Sequence, residues 1–173
     1  MSFFNIAKLV RREIFEIKPY IPAKPIEEIE REYKVKNLVQ LISNENPFSI
    51  SPETRKRIHK ELKTVNRYPD GGGFYLKKKL AEKFKVKSEN IILGNGADEV
   101  LSMLCEAFLN KGEEVIMGQP SFSAYEISCR IMGGIPVFAK LDNFKFNLKN
   151  ILGKVTRKTK IIFLKFSAWL DYV

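Results

Sequence analysis

Apolar side chains recur along this chain in two rhythms. From Glu114 onward short apolar runs alternate with helical stripes: Glu114–Gly118 reads as a strand, Ser123–Met132 as a helix, and Pro136–Leu141 as a strand. Leu148–Leu152 follows as a short helix and Lys160–Leu164 as a further strand. Strands alternating with helices of these lengths predict right-handed βαβ units and a mainly parallel α/β sheet. Just before them, Ile91-Ile92-Leu93 predicts a buried strand, and Gly94-Asn95-Gly96 a tight turn. Ala97, Val100, Leu101, Leu104 and Phe108 then form a helical stripe.

The first half is more broken. Residues 1–20 hold a short amphipathic segment, and Pro19, Pro22 and Pro25 impose an extended arm. Pro25 suits the first position of a helix that turns Ile26, Ile29 and Tyr33 inward. Leu38–Ile42 predicts a short strand, and Ser43–Pro47 a polar loop. Ser51 and Pro52 open the next helix as cap and first residue, with Ile58 and Leu62 on its apolar side. Asn66–Gly73 is a turn-forming cluster. A lysine-rich helix follows, with Leu76, Leu80 and Phe84 spaced as one buried face.

Composition narrows the functional classes. The chain has 173 residues, 45% hydrophobic and 29% charged, which suits a globular domain with a real core. No apolar run approaches a membrane span, and the first residues lack a basic region ahead of their apolar ones. The expectation is a soluble cytoplasmic protein without membrane partners. Cys105 and Cys129, the only two cysteines, fall in helices and read as reduced core thiols rather than a disulfide or metal pair. The net charge of +10 raises the question of nucleic acid. Lys77, Lys78, Lys79, Lys83, Lys85 and Lys87 are explained as the solvated side of their helix, so small anionic ligands are expected instead. The lone histidine, His59, lies off its helix's apolar side and reads as a surface residue.

Candidate chemistry gathers at Gly94–Glu99. A glycine turn entering a helix presents unbonded amides backed by the helix dipole, which together suit a phosphate group. The same pattern is also ordinary α/β punctuation.

The order of four motifs separates these readings. Asn44-Glu45-Asn46-Pro47, Asn66-Arg67-Tyr68-Pro69-Asp70, Gly94-Asn95-Gly96-Ala97-Asp98-Glu99 and Pro120-Ser121-Phe122-Ser123-Ala124-Tyr125 resemble, in that order, the histidinol-phosphate aminotransferases. These are fold-type-I transferases dependent on pyridoxal 5'-phosphate, and the resemblance runs from about Pro19 to Leu164. It implies an incomplete three-layer α/β/α large domain plus an N-terminal arm, in which the strands at 114–118, 136–141 and 160–164 pair with each other while Ile91–Leu93 lacks its usual neighbour. Residues 1–45 would be arm and small-domain segment, 46–164 the N-terminal part of the cofactor domain, and 165–173 a tail outside the family pattern. It implies further that Gly96 and the amides of Ala97 and Asp98 hold the cofactor phosphate, and that Phe122 stacks on its ring. Tyr68 would reach the phosphate bound by the partner subunit of a homodimer, and Asn44 and Glu45 would lie near the substrate. From the residues alone, Phe122 reads equally as core, Tyr68 as a turn residue and Asn44 as a cap.

Past Leu164 the family's Asn-Pro-Asn-Asn-Pro-Thr-Gly loop is replaced by Lys165–Val173. The residues expected to carry the ring-oxygen asparagine, ring-nitrogen aspartate, Schiff-base lysine and carboxylate-binding arginine do not occur in this sequence. No catalytic residue is therefore assigned, and Lys165 occupies the wrong strand for that lysine. The expectation is amino transfer between histidinol phosphate and 2-oxoglutarate by the family, with this chain inactive alone and its ending explained by a change of reading frame. Alternatives are another aminotransferase of the same fold or a non-catalytic partner subunit.

Overall fold

The computed structural model describes residues 6–39, 41, 45–143 and 145–164. The chain divides into two compact units: the described parts of Met1–Pro19 and Glu89–Val173 form one, and those of Tyr20–Ser88 the other.

The first unit is built on a parallel sheet of three strands, β1 (Glu114–Gln119), β2 (Ile135–Lys140) and β3 (Thr159–Ile162), in the order β2-β1-β3. β1 runs in register with β2 from Glu114 opposite Ile135 to Gln119 opposite Lys140. On its other side Val115 and Ile116 lie opposite Ile161 and Ile162. Because β1 is central, both its faces must be covered, and its side chains show how. Val115 and Met117 join Leu101, Cys105, Leu109, Cys129 and Phe163 in one buried cluster. Ile116 points the other way, into a cluster with Ala139 and Ile151.

These alternating contacts define three layers. Helices α4 (Gly96–Phe108) and α5 (Ser123–Ile131) cover one face, and the short α6 (Leu148–Leu152) covers the other. Asn147 caps α6, its side-chain oxygen accepting from the amides of Lys149 at 2.9 Å and Asn150 at 3.4 Å. The α4 stripe turned inward is Leu101, Cys105 and Leu109, whereas Phe108 is exposed. Both cysteines are free and fully buried, as expected of core thiols.

Ile91–Leu93 does not form the predicted strand; the segment is unpaired, and Ile92 is largely exposed. A strand exists only beside a neighbour that takes its backbone hydrogen bonds, and none of the described strands lies next to it.

The second unit is helical, with α1 (Ile26–Tyr33), α2 (Pro52–Glu61) and α3 (Phe74–Phe84). Ser51 caps α2 as expected, its hydroxyl accepting from the Thr54 amide at 3.1 Å. Pro25 is the cap residue of α1 rather than its first residue. Of that helix's apolar side, Ile26 and Ile29 are half-buried and Tyr33 is exposed. The predicted buried faces of α2 and α3 are not buried: Ile58, Leu62, Leu76 and Phe84 are all exposed, and only Leu80 is half-covered. Amphipathic spacing specifies a face, but burial needs an opposing layer, and three short helices without a sheet supply none within this unit. The strand expected at 38–42 is absent at Leu38, Val39 and Leu41; Gln40 and Ile42 lie outside the described residues.

Candidate functional site

The turn into α4 is shaped by two glycines for different reasons. Gly96 adopts φ of 77°, a left-handed backbone that other residues adopt only with strain. Gly94 is required by space, because a Cβ there would lie 2.9 Å from Val100 Cγ2 and 3.2 Å from Met103 Cε. The Gly96 amide turns back to donate to the Gly94 carbonyl at 2.9 Å. Glu99 turns back as well: its Oε2 accepts from the backbone N–H of Asn95 and, at 3.0 Å, from the Asn95 side-chain amide. The amides of Ala97 and Asp98 lie ahead of the first i→i−4 bond of α4. Nothing approaches within 4 Å of the Cβ position at Gly96, and Gly96, Ala97 and Asp98 are all exposed. Two adjacent amides at a positive helix end can hold an anion.

Phe122 is the cap residue of α5 and is 39% exposed. Its ring meets Tyr125 edge-on, with centroids 5.8 Å apart and an interplanar angle of 89°. Tyr125 in turn stacks on Phe163 at 4.7 Å and 16°.

Contacts along the two helices show that they run parallel. Ser102 lies 3.4 Å from Ser128, and further along, Leu109 closes against Gly134 just beyond α5. Gly96–Asp98 and Phe122 therefore share one end of the unit. Since β1 leads from Gln119 into Phe122, that end is the carboxyl edge of the sheet, where open α/β folds bind ligands. The unit thus brings together a helix start with unbonded amides and an exposed aromatic ring.

The other predicted residues belong to the second unit. Tyr68, in the turn between α2 and α3, is fully exposed, and Glu45 is exposed in a loop. Asn44 lies outside the described residues. Among the described residues no group of three or more His, Cys, Asp or Glu side chains is placed to hold a metal.

A sequence model of the aminotransferase class I and II family matches residues 36–165. The chain belongs to this family. Its aminotransferase relatives include the histidinol-phosphate aminotransferase of Moorella thermoacetica, 42% identical over 154 residues that make up 89% of this chain and 40% of that protein. Histidinol-phosphate aminotransferase 2 of Carboxydothermus hydrogenoformans is 43% identical over 156 residues, 90% of this chain and 43% of its own. The chain thus spans about two fifths of the length of these relatives. The crystal structure of histidinol-phosphate aminotransferase from Sinorhizobium meliloti in complex with pyridoxal-5'-phosphate matches with a TM-score of 0.72 at 22% identity, covering 91% of this chain and 40% of that one. Aspartate aminotransferase from Thermotoga maritima matches at 0.67 and 24%, covering 88% and 44%. These likenesses establish the fold: the first unit is part of the α/β domain of fold-type-I aminotransferases.

Three residues around this candidate site were given no role from sequence. Glu99 has an acid's ordinary preference for a first helical turn, which hides its grip on Asn95. Tyr125 stands three residues after Phe122, a spacing that brings helical neighbours together and was the available signal. Phe163 belongs to a different stretch of chain, and nothing local announces that its ring supports Tyr125.

Proposed function

We propose that this chain carries the phosphate-anchoring portion of a pyridoxal-phosphate-dependent aminotransferase, and that the reaction served is amino transfer from histidinol phosphate to 2-oxoglutarate. The observation that carries the cofactor assignment is the pair of open amides at Ala97 and Asp98, set at the same sheet edge as the exposed ring of Phe122. A phosphorylated flat ring is the ligand class that uses both. The substrate assignment follows the names of the relatives that match about nine tenths of this chain.

Fit can be judged from the loop itself. The open space over Gly96 admits a phosphate, and the two amides supply directed donors to it. Glu99 is committed to Asn95, which holds the turn in shape and keeps that carboxylate off the Ala97 and Asp98 amides. Phe122 offers an apolar face that restrains a heteroaromatic ring without donating or accepting protons. When bound, pyridoxal phosphate supplies the electron-accepting ring that acidifies the Cα–H of the amino substrate. This chain's part is to hold and orient that ring and to keep water from one of its faces. The working assembly is read as a homodimer on the family resemblance, and the fully exposed Tyr68 is the residue whose hydroxyl would reach a phosphate held by the second subunit. Glu45 and Asn44 belong to the substrate side, and the protein works in the cytoplasm on small molecules.

Titration of the chain with pyridoxal 5'-phosphate, inorganic phosphate and unphosphorylated pyridoxal tests this. The expected order of affinity is pyridoxal phosphate, then phosphate, then pyridoxal, with binding reversible and borohydride fixing nothing onto one specific lysine. Ala97→Pro removes one amide donor in the first turn of α4, and should weaken both phosphorylated ligands at least about tenfold, as loss of a charge-assisted hydrogen bond does. Unchanged affinity in that variant would overturn the assignment.

A further inference from the structure

Beyond the loop and Phe122, we propose that Tyr125 is a positioning residue: its ring, backed by Phe163, fixes the plane of the Phe122 ring against which the cofactor lies. The proposal rests on the cofactor assignment above.

Phe122 closes the extended segment leading out of β1, and its side chain is more than a third exposed. Among the described residues its only ring partner is Tyr125, met at 89°. Left to itself, a half-exposed phenylalanine at a helix cap would sample several rotamers, and stacking on it would cost the ordering of that side chain. Tyr125 is held much more firmly. It packs against the buried cluster of α4, α5 and the sheet, and its ring lies parallel to Phe163 with centroids 4.7 Å apart. Phe163 is 7% exposed, and its amide donates to the Ile116 carbonyl of β1 at 2.9 Å. Three rings therefore run from the end of β3 to the ligand edge, each orienting the next. Tyr125 can cover at most one face of Phe122, and the exposed part of that ring is what a flat ligand would lie against. What this asks of residue 125 is an aromatic ring; the hydroxyl contributes nothing to it.

The test uses the whole chain and two probes, pyridoxal 5'-phosphate and inorganic phosphate, with the variants Tyr125→Phe, Tyr125→Leu and Phe163→Leu. Tyr125→Phe should match the parent with both probes. Tyr125→Leu and Phe163→Leu should weaken pyridoxal phosphate about three- to tenfold, the range expected for loss of an aromatic pair, while leaving inorganic phosphate unchanged. The circular dichroism of the bound cofactor's absorption band should shrink in the same two variants, reporting a less fixed ring. Tyr125→Leu binding pyridoxal phosphate as tightly as the parent would overturn the proposal. So would Tyr125→Phe losing as much as Tyr125→Leu, or Tyr125→Leu weakening both probes equally, which would mark residue 125 as plain packing. If the parent binds pyridoxal phosphate no better than inorganic phosphate, the cofactor assignment itself fails, and this proposal with it.

Discussion

Gly134→Ala is a sharp test of how tightly the α4–α5 layer is packed. Gly134 is buried just past α5, and a Cβ added there would lie 2.5 Å from Leu109 Cδ2, 3.0 Å from Cys129 Sγ and 3.1 Å from the Cys129 carbonyl oxygen. The leucine methyl could swing away on an exposed side chain, but Leu109 is only 4% exposed, and the cysteine atoms are fixed within the helix. Overpacking of this kind costs about 1–3 kcal/mol. The reduced entropy of the unfolded chain on replacing glycine returns about 0.4–1 kcal/mol, leaving a net loss of about 1–2 kcal/mol. That is a five- to thirtyfold rise in the population of open molecules. The thiols of Cys105 and Cys129, both 0% exposed, supply the assay, since a thiol reagent reaches them only when this layer opens. Labelling at pH 8, under conditions where opening and closing outrun the reagent, should accelerate by that factor. Gly71→Ala is the control, because nothing lies within 4 Å of its Cβ position, and it should label like the parent. A Gly134→Ala chain that labels no faster than the parent would refute the packing argument.

Two further outcomes are expected. Burial, chiefly, pushes the Cys129 thiol up from 9.0 to about 12. A raised folded value means its contribution to stability is intact below about pH 9 and is lost as the pH climbs toward 12, so denaturant midpoints should fall across that alkaline window and Cys129→Ala should flatten the fall; an equally steep fall in Cys129→Ala would count against it. Glu99→Gln retains an oxygen to accept from Asn95 while removing a negative charge from the first turn of α4, so pyridoxal phosphate should bind about two- to fivefold tighter at low salt, with the gain shrinking as salt is added. Weaker binding in that variant would show that the charge on Glu99 is needed to hold the turn.

Much of the first unit was legible because its periodicities are enforced from both sides. Val115, Ile116 and Met117 form an apolar run because β1 is covered on both faces, and Leu101 and Cys105 mark the buried side of α4 by their spacing. Strand and helix limits from Glu114 to Ile162 accordingly fall within one or two residues of those read from the pattern. At Ile91–Leu93 three large apolar residues state a preference for burial, not the presence of a neighbouring strand, and the segment stands unpaired as the family's strand order implies. Leu76 and Phe84 failed for the related reason that helical spacing says nothing about what stands opposite. At the candidate site, the tight turn and the helix after it were legible, since backbone geometry is written locally in Gly94 and Gly96. The ring stack was not legible, because Tyr125 and Phe163 meet only after the sheet has formed.

The route of the chain through its first unit has a consequence for the order in which it is made. Residues near the N-terminus close onto the sheet layer late. Glu13 meets Lys111 at 2.6 Å, which holds its carboxyl below the usual range, and Glu16 meets Arg130 at 3.1 Å, across sequence separations of 98 and 114 residues. Between them lies the whole of Tyr20–Ser88, a unit in its own right. On the ribosome that inserted stretch emerges complete while Glu13 and Glu16 still wait for their basic partners. Closing a loop of this length adds little to the equilibrium cost, only about 0.6 kcal/mol for each doubling, but it makes the step slow. For that interval the segment around Glu13 and Glu16, net basic through Lys8, Arg11, Arg12 and Lys18, has neither carboxylate paired with its partner in the sheet layer. Chaperones, or another nascent copy, meet it before Arg130 does.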